Sequence, residues 1–315
     1  MILVTGAGGF IGSHLVERLL SQGENVRAFV HYNSHNALWD LPAGVQTTRG
    51  DIRDYQDVLK AMIGVEKVYH LAALIGIPYS YQSPLAYIKT NTEGTYNVIE
   101  AALETDARVL IMSTSEVYGS AQYVPMGEDH PIVPQSPYAA SKVAADAMAQ
   151  AYTLSFPMTN IVTARPFNVF GPRQSPRAVI PTIIGQLLKH NEVILGNVSA
   201  ERDFTFVHET CEGLTKVMSH GKPGEVYNVC SGFSISIRDI VAEIANVLGK
   251  DYTIKSTEER MRPKDSEVNR LYGSPIKLAE RVSWMPNMTF SEGIEKTVRW
   301  YQKHPERLRE GFYHV

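Results

Sequence analysis

The run Met1-Ile2-Leu3-Val4-Thr5-Gly6-Ala7-Gly8-Gly9-Phe10-Ile11-Gly12 decides the fold. It reads as a buried apolar strand, a glycine turn and the opening of a helix. Ile11, Leu15, Val16, Leu19 and Leu20 follow at helical spacing, and Gly23 supplies a stop. Glycine permits a tight turn and close backbone approach, while a helix N-terminus offers unpaired N–H groups and the positive end of the dipole. Strand, glycine turn and helix in that order form the fingerprint of a pyrophosphate cradle, with a ligand-free tight turn as the plainer alternative. The contacts it predicts are Gly6, Gly9, Phe10, Ile11 and Gly12.

Beyond this run, apolar segments alternate with amphipathic ones. Strands are predicted at Ile2–Val4, Val26–Val30, Lys67–Leu71, Val109–Met112 and Ile161–Ala164. One helix is expected to hold Asn97, Val98, Ala101 and Ala102. Another runs from Pro137 to about Tyr152, with Ser136 as its cap and Pro137 at its first position. This rhythm predicts an α/β fold with a doubly wound parallel sheet covered on both faces. After Ala164, Pro166, Gly171, Pro172, Pro176 and Pro181 punctuate the chain. Helices resume near Ile180–Lys189, Glu209–Ser219, Ile237–Leu248 and Phe290–His304. The expected division is 1–165 for a dinucleotide-binding domain, with 203–230 returning to it, and 166–315 mainly for a smaller C-terminal substrate-binding lobe.

Composition narrows the class. The chain has 315 residues, 44% of them hydrophobic, and a formal net charge of -3, without the basic patch that nucleic acid requires. Two cysteines, Cys211 and Cys230, argue against a disulfide framework and for a reducing compartment, the cytoplasm. No apolar run of about 18 residues exists to span a membrane, and the N-terminus does not read as a signal peptide. No cluster has metal-ligand spacing; His70 and His208 read as packed histidines.

The end of the second strand bears on the cofactor. An acidic residue there often holds the ribose hydroxyls of NAD. This chain reads Phe29-Val30-His31-Tyr32-Asn33-Ser34-His35, with no carboxylate to repel a 2′-phosphate. His31, Asn33 and Ser34 can donate hydrogen bonds to one. The balance favours NADP, and the lack of an arginine keeps NAD open. In Gly50-Asp51-Ile52-Arg53, Asp51 and Ile52 are placed at the adenine, unless Asp51 is a solvated turn carboxylate.

Tyr138 and Lys142 stand four positions apart on a predicted helix and share a face. A nearby ammonium lowers a phenol's pKa and suits it to act as a base. Such pairs are common on surfaces, and this one takes its meaning from the segment before it. Strand Val109–Met112 leads into Ser113-Thr114-Ser115-Glu116-Val117-Tyr118-Gly119, at the carboxyl end of a central strand, where such folds bind ligands. In extended geometry Thr114 and Glu116 project to one side. Glu116 there is an acid or base, or else a capping or solvent-facing carboxylate.

The glycine loop, Leu71-Ala72-Ala73, Asn91-Thr92-Glu93-Gly94-Thr95, Ser113–Gly119, Tyr138-x-x-x-Lys142, Arg165-Pro166-Phe167-Asn168, Gly171-Pro172-Arg173 and Arg202-Asp203-Phe204 together resemble the extended short-chain dehydrogenase/reductase family. The resemblance covers essentially the whole chain. It implies a Rossmann domain, a bound nicotinamide cofactor, nucleoside-diphosphate sugar substrates and a homodimer joined through a four-helix bundle. It adds Leu71, Ala72, Ala73, Tyr138 and Lys142 to the cofactor contacts. Within the family, Thr114-Ser115-Glu116 looks like the segment of sugar-nucleotide 4,6-dehydratases of the GDP-mannose type. Ala73–Tyr81, Gly171–Ile184 and Arg262–Val268 are similar to the dehydratases of legionaminic acid biosynthesis, which act on GDP-N-acetylglucosamine. His31 departs from that pattern, which has an arginine there.

The resemblance implies transient oxidation of a hexose at C4. Tyr138, activated by Lys142, takes the C4 hydroxyl proton, Thr114 hydrogen-bonds the C4 oxygen, and Glu116 removes the C5 proton. Ser115 stands where many dehydratases carry a second acid, so Glu116 serves as base and acid. Substrate grip is assigned to Ser80, Asn168, Arg173, Arg202 and Arg262, because a guanidinium fork suits a diphosphate. Any one arginine is alternatively a structural ion-pair residue. Val179 lines the nucleobase pocket or packs in the core. The expected activity is an NDP-hexose 4,6-dehydratase acting on a GDP- or UDP-linked hexose or N-acetylhexosamine. Its rivals are a UDP-glucuronate decarboxylase, an NDP-sugar 4-epimerase and a non-catalytic NADP-sensing regulatory protein.

Overall fold

Four consecutive buried residues, Ile2 to Thr5, open the computed structural model, which describes residues 1–33, 38, 40–257, 268 and 270–308. They form β1 (Ile2–Thr5), followed by α1 (Phe10–Ser21), β2 (Val26–His31), β3 (Gln46–Gly50), α2 (Tyr55–Met62) and β4 (Lys67–His70). Two short helices, α3 (Ile77–Gln82) and α4 (Pro84–Tyr87), lead through a π-helical turn at Ile88–Glu93 into α5 (Gly94–Thr105) and β5 (Arg108–Met112). A 3₁₀ turn at Ser115–Tyr118 precedes α6 (Pro137–Ser155), β6 (Ile161–Pro166), β7 (Asn168–Phe170), α7 (Val179–Lys189), β8 (Glu192–Leu195) and β9 (Glu201–Phe206). The chain continues with α8 (Val207–His220), β10 (Val226–Val229), β11 (Ser234–Ser236), α9 (Ile237–Leu248), β12 (Thr253–Ser256), β13 (Arg270–Leu271), α10 (Ile276–Val282) and α11 (Phe290–Lys303).

Seven strands make one parallel sheet in the order β10-β6-β5-β4-β1-β2-β3. Its inner strands β1 and β5 carry apolar runs because both faces are covered. Alternation along β1 shows how. Ile2 and Val4 join a cluster with Leu15, Val16 and Leu19 of α1 and Leu214 and Val217 of α8. Leu3 joins the opposite cluster, with Val58 and Met62 of α2 and Val98 and Ile99 of α5. Strand order reverses at β1, between β4 and β2, and such a switch point leaves a crevice at the carboxyl ends of the strands. This is the doubly wound Rossmann sheet the sequence predicts.

The α6 cap forms as expected, with Ser136 Oγ accepting from Ala139 N and Pro137 in the first turn. β3 and α2 lie outside the predicted elements. β3 reads Gln-Thr-Thr-Arg-Gly because it is an edge strand, largely exposed. α2 is set by its cap, since Asp54 accepts from the backbone N–H groups of Gln56 and Asp57.

In the second half, β9 pairs with β7, β11 and β13, and β8 pairs with β12. The return to the large sheet begins at Val207 with α8, because β9 belongs to the smaller sheet. One apolar cluster runs from β1 through Ile183 and Leu187 of α7, Ile240 and Ile244 of α9, and Ile294 and Val298 of α11. The smaller elements thus share a core with the Rossmann sheet. Among the described residues no helix is long and apolar enough to cross a membrane. Cys211 and Cys230 are both buried and free.

Candidate active site

The glycine turn is built against the end of β4. Gly6 has φ +68, and a Cβ on it would lie 2.8 Å from Ala72 N. A Cβ on Gly12 would lie 2.2 Å from Gly6 O. Only glycine lets α1 start this close to the turn. Gly9 caps α1 without a side-chain bond, and the first turn holds no acidic residue. The leading N–H groups and the positive helix end are left for an anion, so these residues fit a dinucleotide pyrophosphate. Phe10 and Ile11 are half-buried and pack on the core below.

Behind the turn sits His70. Thr5 Oγ1 accepts from Ala72 N at 3.2 Å and meets His70 Nδ1 at 2.8 Å. Thr95 Oγ1 donates to Asn91 O and meets His70 Nε2 at 3.1 Å. These roles assign the ring proton to Nε2. Burial, with the Lys142 charge adding, pulls this imidazole down from 6.5 to about 3. Burial likewise pulls His14 down to about 4. Both histidines resist a proton when folded that they accept when unfolded. The stability they contribute is present above about pH 6.5 and drains as pH falls toward 4. Thermal melts across that range should show the decline, and His70→Gln should flatten it. An unchanged slope in that variant would remove His70 as its source.

At the ends of β2 and β3, His31 Nε2 lies 3.5 Å from Asp51 Oδ2. Asp51 is gripped by Arg53, whose Nε lies 3.0 Å from each carboxylate oxygen, and that hydrogen bonding holds its carboxyl below the usual range. Asn33 N donates to His31 Nδ1 at 3.3 Å. The sequence reading found no carboxylate at this corner; the fold brings one from β3, already paired. Ile52 is buried under α5, its carbonyl accepting from Asn97 Nδ2. Ser34 lies outside the described residues.

The reactive groups gather at the carboxyl end of β5. Thr114 and Glu116 do not project from one extended strand. β5 ends at Met112, and Thr114 Oγ1 accepts from Glu116 N at 3.2 Å, winding residues 115–118 into a 3₁₀ turn. From that turn Thr114 hydrogen-bonds the Tyr138 phenol on α6, and Glu116 lies near enough for its charge to act on that phenol. Burial pushes the Tyr138 phenol well up, the Thr114 hydrogen bond pulls it down, and the Glu116 charge pushes it up. Lys142, one turn further and also buried, donates Nζ to Met112 O at 2.8 Å. Burial lowers its pKa, and the Asp146 carboxylate opposes that shift. A phenol, a hydroxyl, a carboxylate and an ammonium thus converge two strands from the glycine turn. The set suits proton removal from a bound alcohol.

The grip residues divide. Asn168 on β7 and buried Arg202 on β9 sit on paired strands of the small sheet; Asn168 Nδ2 donates to Asp203 O at 3.3 Å. Arg173 stands elsewhere, in the ion-pair arrangement that the sequence leaves open beside substrate grip. Its guanidinium meets Glu17 Oε1 at 2.5 Å, Ser13 Oγ at 3.3 Å and Asp40 Oδ1 at 3.8 Å, tying the 171–173 turn to α1. Arg173→Gln should lower the thermal midpoint and leave substrate KM unchanged; a raised KM alone would restore the grip role. Ser80 is fully buried, its hydroxyl spent on Ile77 O at 2.6 Å. Val179 is half-buried and packs against the main core. Arg262 lies outside the described residues. Among the described residues no group of His, Cys, Asp or Glu could hold a metal.

Two buried polar residues have roles the sequence reading did not assign. Asn91, in the π-helical turn, accepts from Leu74 N and donates to Leu74 O and Ser141 Oγ, clamping the β4 exit loop, with Ala73, onto α6. Asp203 accepts from Ser231 N, Ser231 Oγ, Gly232 N and Gly273 N, which stitches two loops to β9.

Comparison with known proteins agrees with this geometry. The family model described as GDP-mannose 4,6 dehydratase matches residues 3–297. A dTDP-glucose 4,6-dehydratase of Streptomyces antibioticus is 31% identical over 312 residues, covering 96% of this chain and 92% of that protein. A dTDP-glucose 4,6-dehydratase of Streptomyces venezuelae, solved with NAD bound, superposes with a TM-score of 0.89 at 28% identity, covering 98% of this chain and 100% of that one. A UDP-glucose 4-epimerase of Thermus thermophilus in complex with NAD follows with a TM-score of 0.86 at 30% identity, covering 96% and 98%. The chain belongs to the GDP-mannose 4,6 dehydratase family, nicotinamide-dependent enzymes of the extended short-chain dehydrogenase/reductase type that act on sugar nucleotides.

Proposed function

We propose that this enzyme is a 4,6-dehydratase of a GDP- or UDP-linked hexose or N-acetylhexosamine, with NADP preferred over NAD. The observation that carries the reading is the Tyr138 phenol hydrogen-bonded by Thr114, with the charge of Glu116, two residues on, acting on it. Residues 1–165 with α8 and β10 hold the dinucleotide, and the remainder mainly forms the substrate lobe.

When bound, the nicotinamide supplies the acceptor and later donor of one hydride. Tyr138 Oη takes the C4 hydroxyl proton while Thr114 holds the C4 oxygen and Lys142 supplies positive charge beside the site. The resulting 4-keto group acidifies C5, and Glu116 takes the C5 proton. Ser115, buried in the 3₁₀ turn, offers no acid, so Glu116 also protonates the hydroxyl leaving C6. Return of the hydride to C6, with C5 reprotonated by the proton released from the C4 hydroxyl, completes the 4-keto-6-deoxy sugar. A 4-epimerase gives Glu116 no task. Asn168 and Arg202 are the diphosphate contacts, joined by Arg262.

NADP preference rests on His31 and Asn33, with Arg49 and Arg53 at the same corner and Asp51 neutralised by Arg53. The cofactor whose addition raises the thermal midpoint more decides this point. Exposed Leu85 on α4, Ile88 in the π-helical turn and Tyr96 on α5, with exposed Leu154 on α6, support a homodimer through the α5 and α6 face, read directly by solution mass. The free cysteines support a cytoplasmic location.

Mass spectrometry of products from GDP-, UDP-, dTDP- and CDP-hexoses tests the activity. Loss of one water supports the dehydratase. Loss of carbon dioxide from a UDP-hexuronate identifies a decarboxylase, unchanged mass with a new C4 configuration an epimerase, and no turnover a cofactor-sensing protein.

A further inference from the structure

We propose that Asp146 is a positioning residue for Lys142: held by Ser113 and Arg165 one helical turn beyond the lysine, its carboxylate keeps that buried side chain charged and aligned. The proposal rests on the dehydratase reading above.

Tyr138, Lys142 and Asp146 follow one another at four-residue steps on α6, so they form one stripe. Lys142 Nζ meets a neutral carbonyl, Met112 O. A buried ammonium loses its proton unless a counter-charge compensates the lost water. Asp146 is that charge. Its Oδ2 accepts from Ser113 Oγ at 2.8 Å and from Arg165 Nε and a terminal nitrogen at 3.0 Å each. Arg165 is braced in turn, donating to the Tyr118 hydroxyl at 3.0 Å with its guanidinium 5.0 Å from that ring, while Tyr118 donates to Asn228 Oδ1 at 2.7 Å. β5, β6 and β10 thus all fix the carboxylate.

The other oxygen, Oδ1, is buried and has no hydrogen-bond partner among the described residues. Asp146 lines a cavity of about 410 Å³ with Glu128, Gln150, Thr153, Thr163 and Arg165. The charged and titratable groups around Asp146 are therefore Lys142 and Tyr138 on α6, Arg165 on β6, Tyr118 beyond it, and Glu128 across the cavity, itself bound by Asn228 N. Arg165 shares the Asp146 charge with Lys142, which makes the two neighbours act in opposite directions.

The test is the pH profile of kcat for the full-length enzyme on whichever sugar nucleotide it turns over. Asp146→Asn should carry the alkaline limb to lower pH, with about tenfold loss at the alkaline edge of the wild-type profile and less near neutrality. Arg165→Gln should carry that limb upward. A uniform loss at every pH, or limbs that move together, would make the pair a purely structural tie and overturn the proposal. Should Asp146→Asn fail to fold, the direction of the Arg165→Gln limb decides alone. If wild type turns over no sugar nucleotide, the dehydratase reading fails and Asp146 is judged by thermal stability. Lys142 has a lowered folded pKa, so stability rises with pH up to the unfolded value. That rise should begin at lower pH in Asp146→Asn, and a curve superimposed on wild type overturns the assignment.

Discussion

Glu116→Gln is expected to stop the loss of water while leaving the sugar nucleotide bound. Glutamine keeps the shape of the side chain and its place in the 3₁₀ turn, because Thr114 caps the backbone and not the carboxylate. What disappears is the ability to take and return a proton. General acid–base catalysis is worth about 10²–10⁴-fold, and Glu116 is asked to supply both halves of it at C5 and C6. The variant should nevertheless oxidise C4. The Glu116 charge raises the Tyr138 phenol, so its removal makes that phenol the easier group to deprotonate. The sugar should therefore stall as a 4-keto hexose still carrying its C6 hydroxyl. Calorimetric titration checks binding, and mass spectrometry of the bound sugar checks the stall. Normal dehydration by Glu116→Gln would remove this residue from the chemistry.

The sheet was legible because parallel strands must be apolar on both faces, as β1, β5 and β6 are, and because a glycine turn followed by a helix has few other uses. Tyr138 and Lys142 were legible from helical spacing and the Ser136 cap. The elements missed obey local rules that hydrophobic periodicity does not see. β3 is a polar edge strand, and α2 is announced by one capping aspartate. Errors in the site have the same origin. Spacing alone places Thr114 and Glu116 on an extended strand, because it cannot show that a threonine hydroxyl will capture an N–H two positions on. For Arg173 the sequence leaves diphosphate grip and ion pair open, because it does not show that Glu17 and Asp40, distant along the chain, arrive beside it. Asp51 was read apart from His31, though pairing of β2 with β3 sets His31 opposite Gly50. Residue type and local spacing reveal which chemistry is present; tertiary pairing decides which charges are already spent.

Gly12→Ala should remove dinucleotide binding and lower stability, where Gly44→Ala should do little to the first. The Cβ added at Gly12 would stand 2.2 Å from Gly6 O and 2.9 Å from Ala7 Cα, both backbone atoms that no rotamer change can move. Either α1 backs away from β1 or the turn opens. Leu15, Val16 and Leu19 anchor α1 in the main core, so the turn is the weaker side. Overpacking of this kind costs about 1–3 kcal/mol, and the displaced loop no longer presents the α1 N–H groups to a pyrophosphate. At Gly44, φ is +82 and a Cβ would meet nothing within 4 Å. The cost there is the left-handed backbone alone, about 1–2 kcal/mol, far from the cradle. A ligand at a hundred times its Kd stabilises a fold by about 2.7 kcal/mol, a readily measured rise in melting temperature. Wild type and Gly44→Ala should both show that rise with NADP or NAD. Gly12→Ala should melt lower without ligand and gain nothing from either cofactor. A full ligand-induced rise in Gly12→Ala would mean that the dinucleotide does not rest on this turn, and the placement of hydride transfer beside Tyr138 would fall with it.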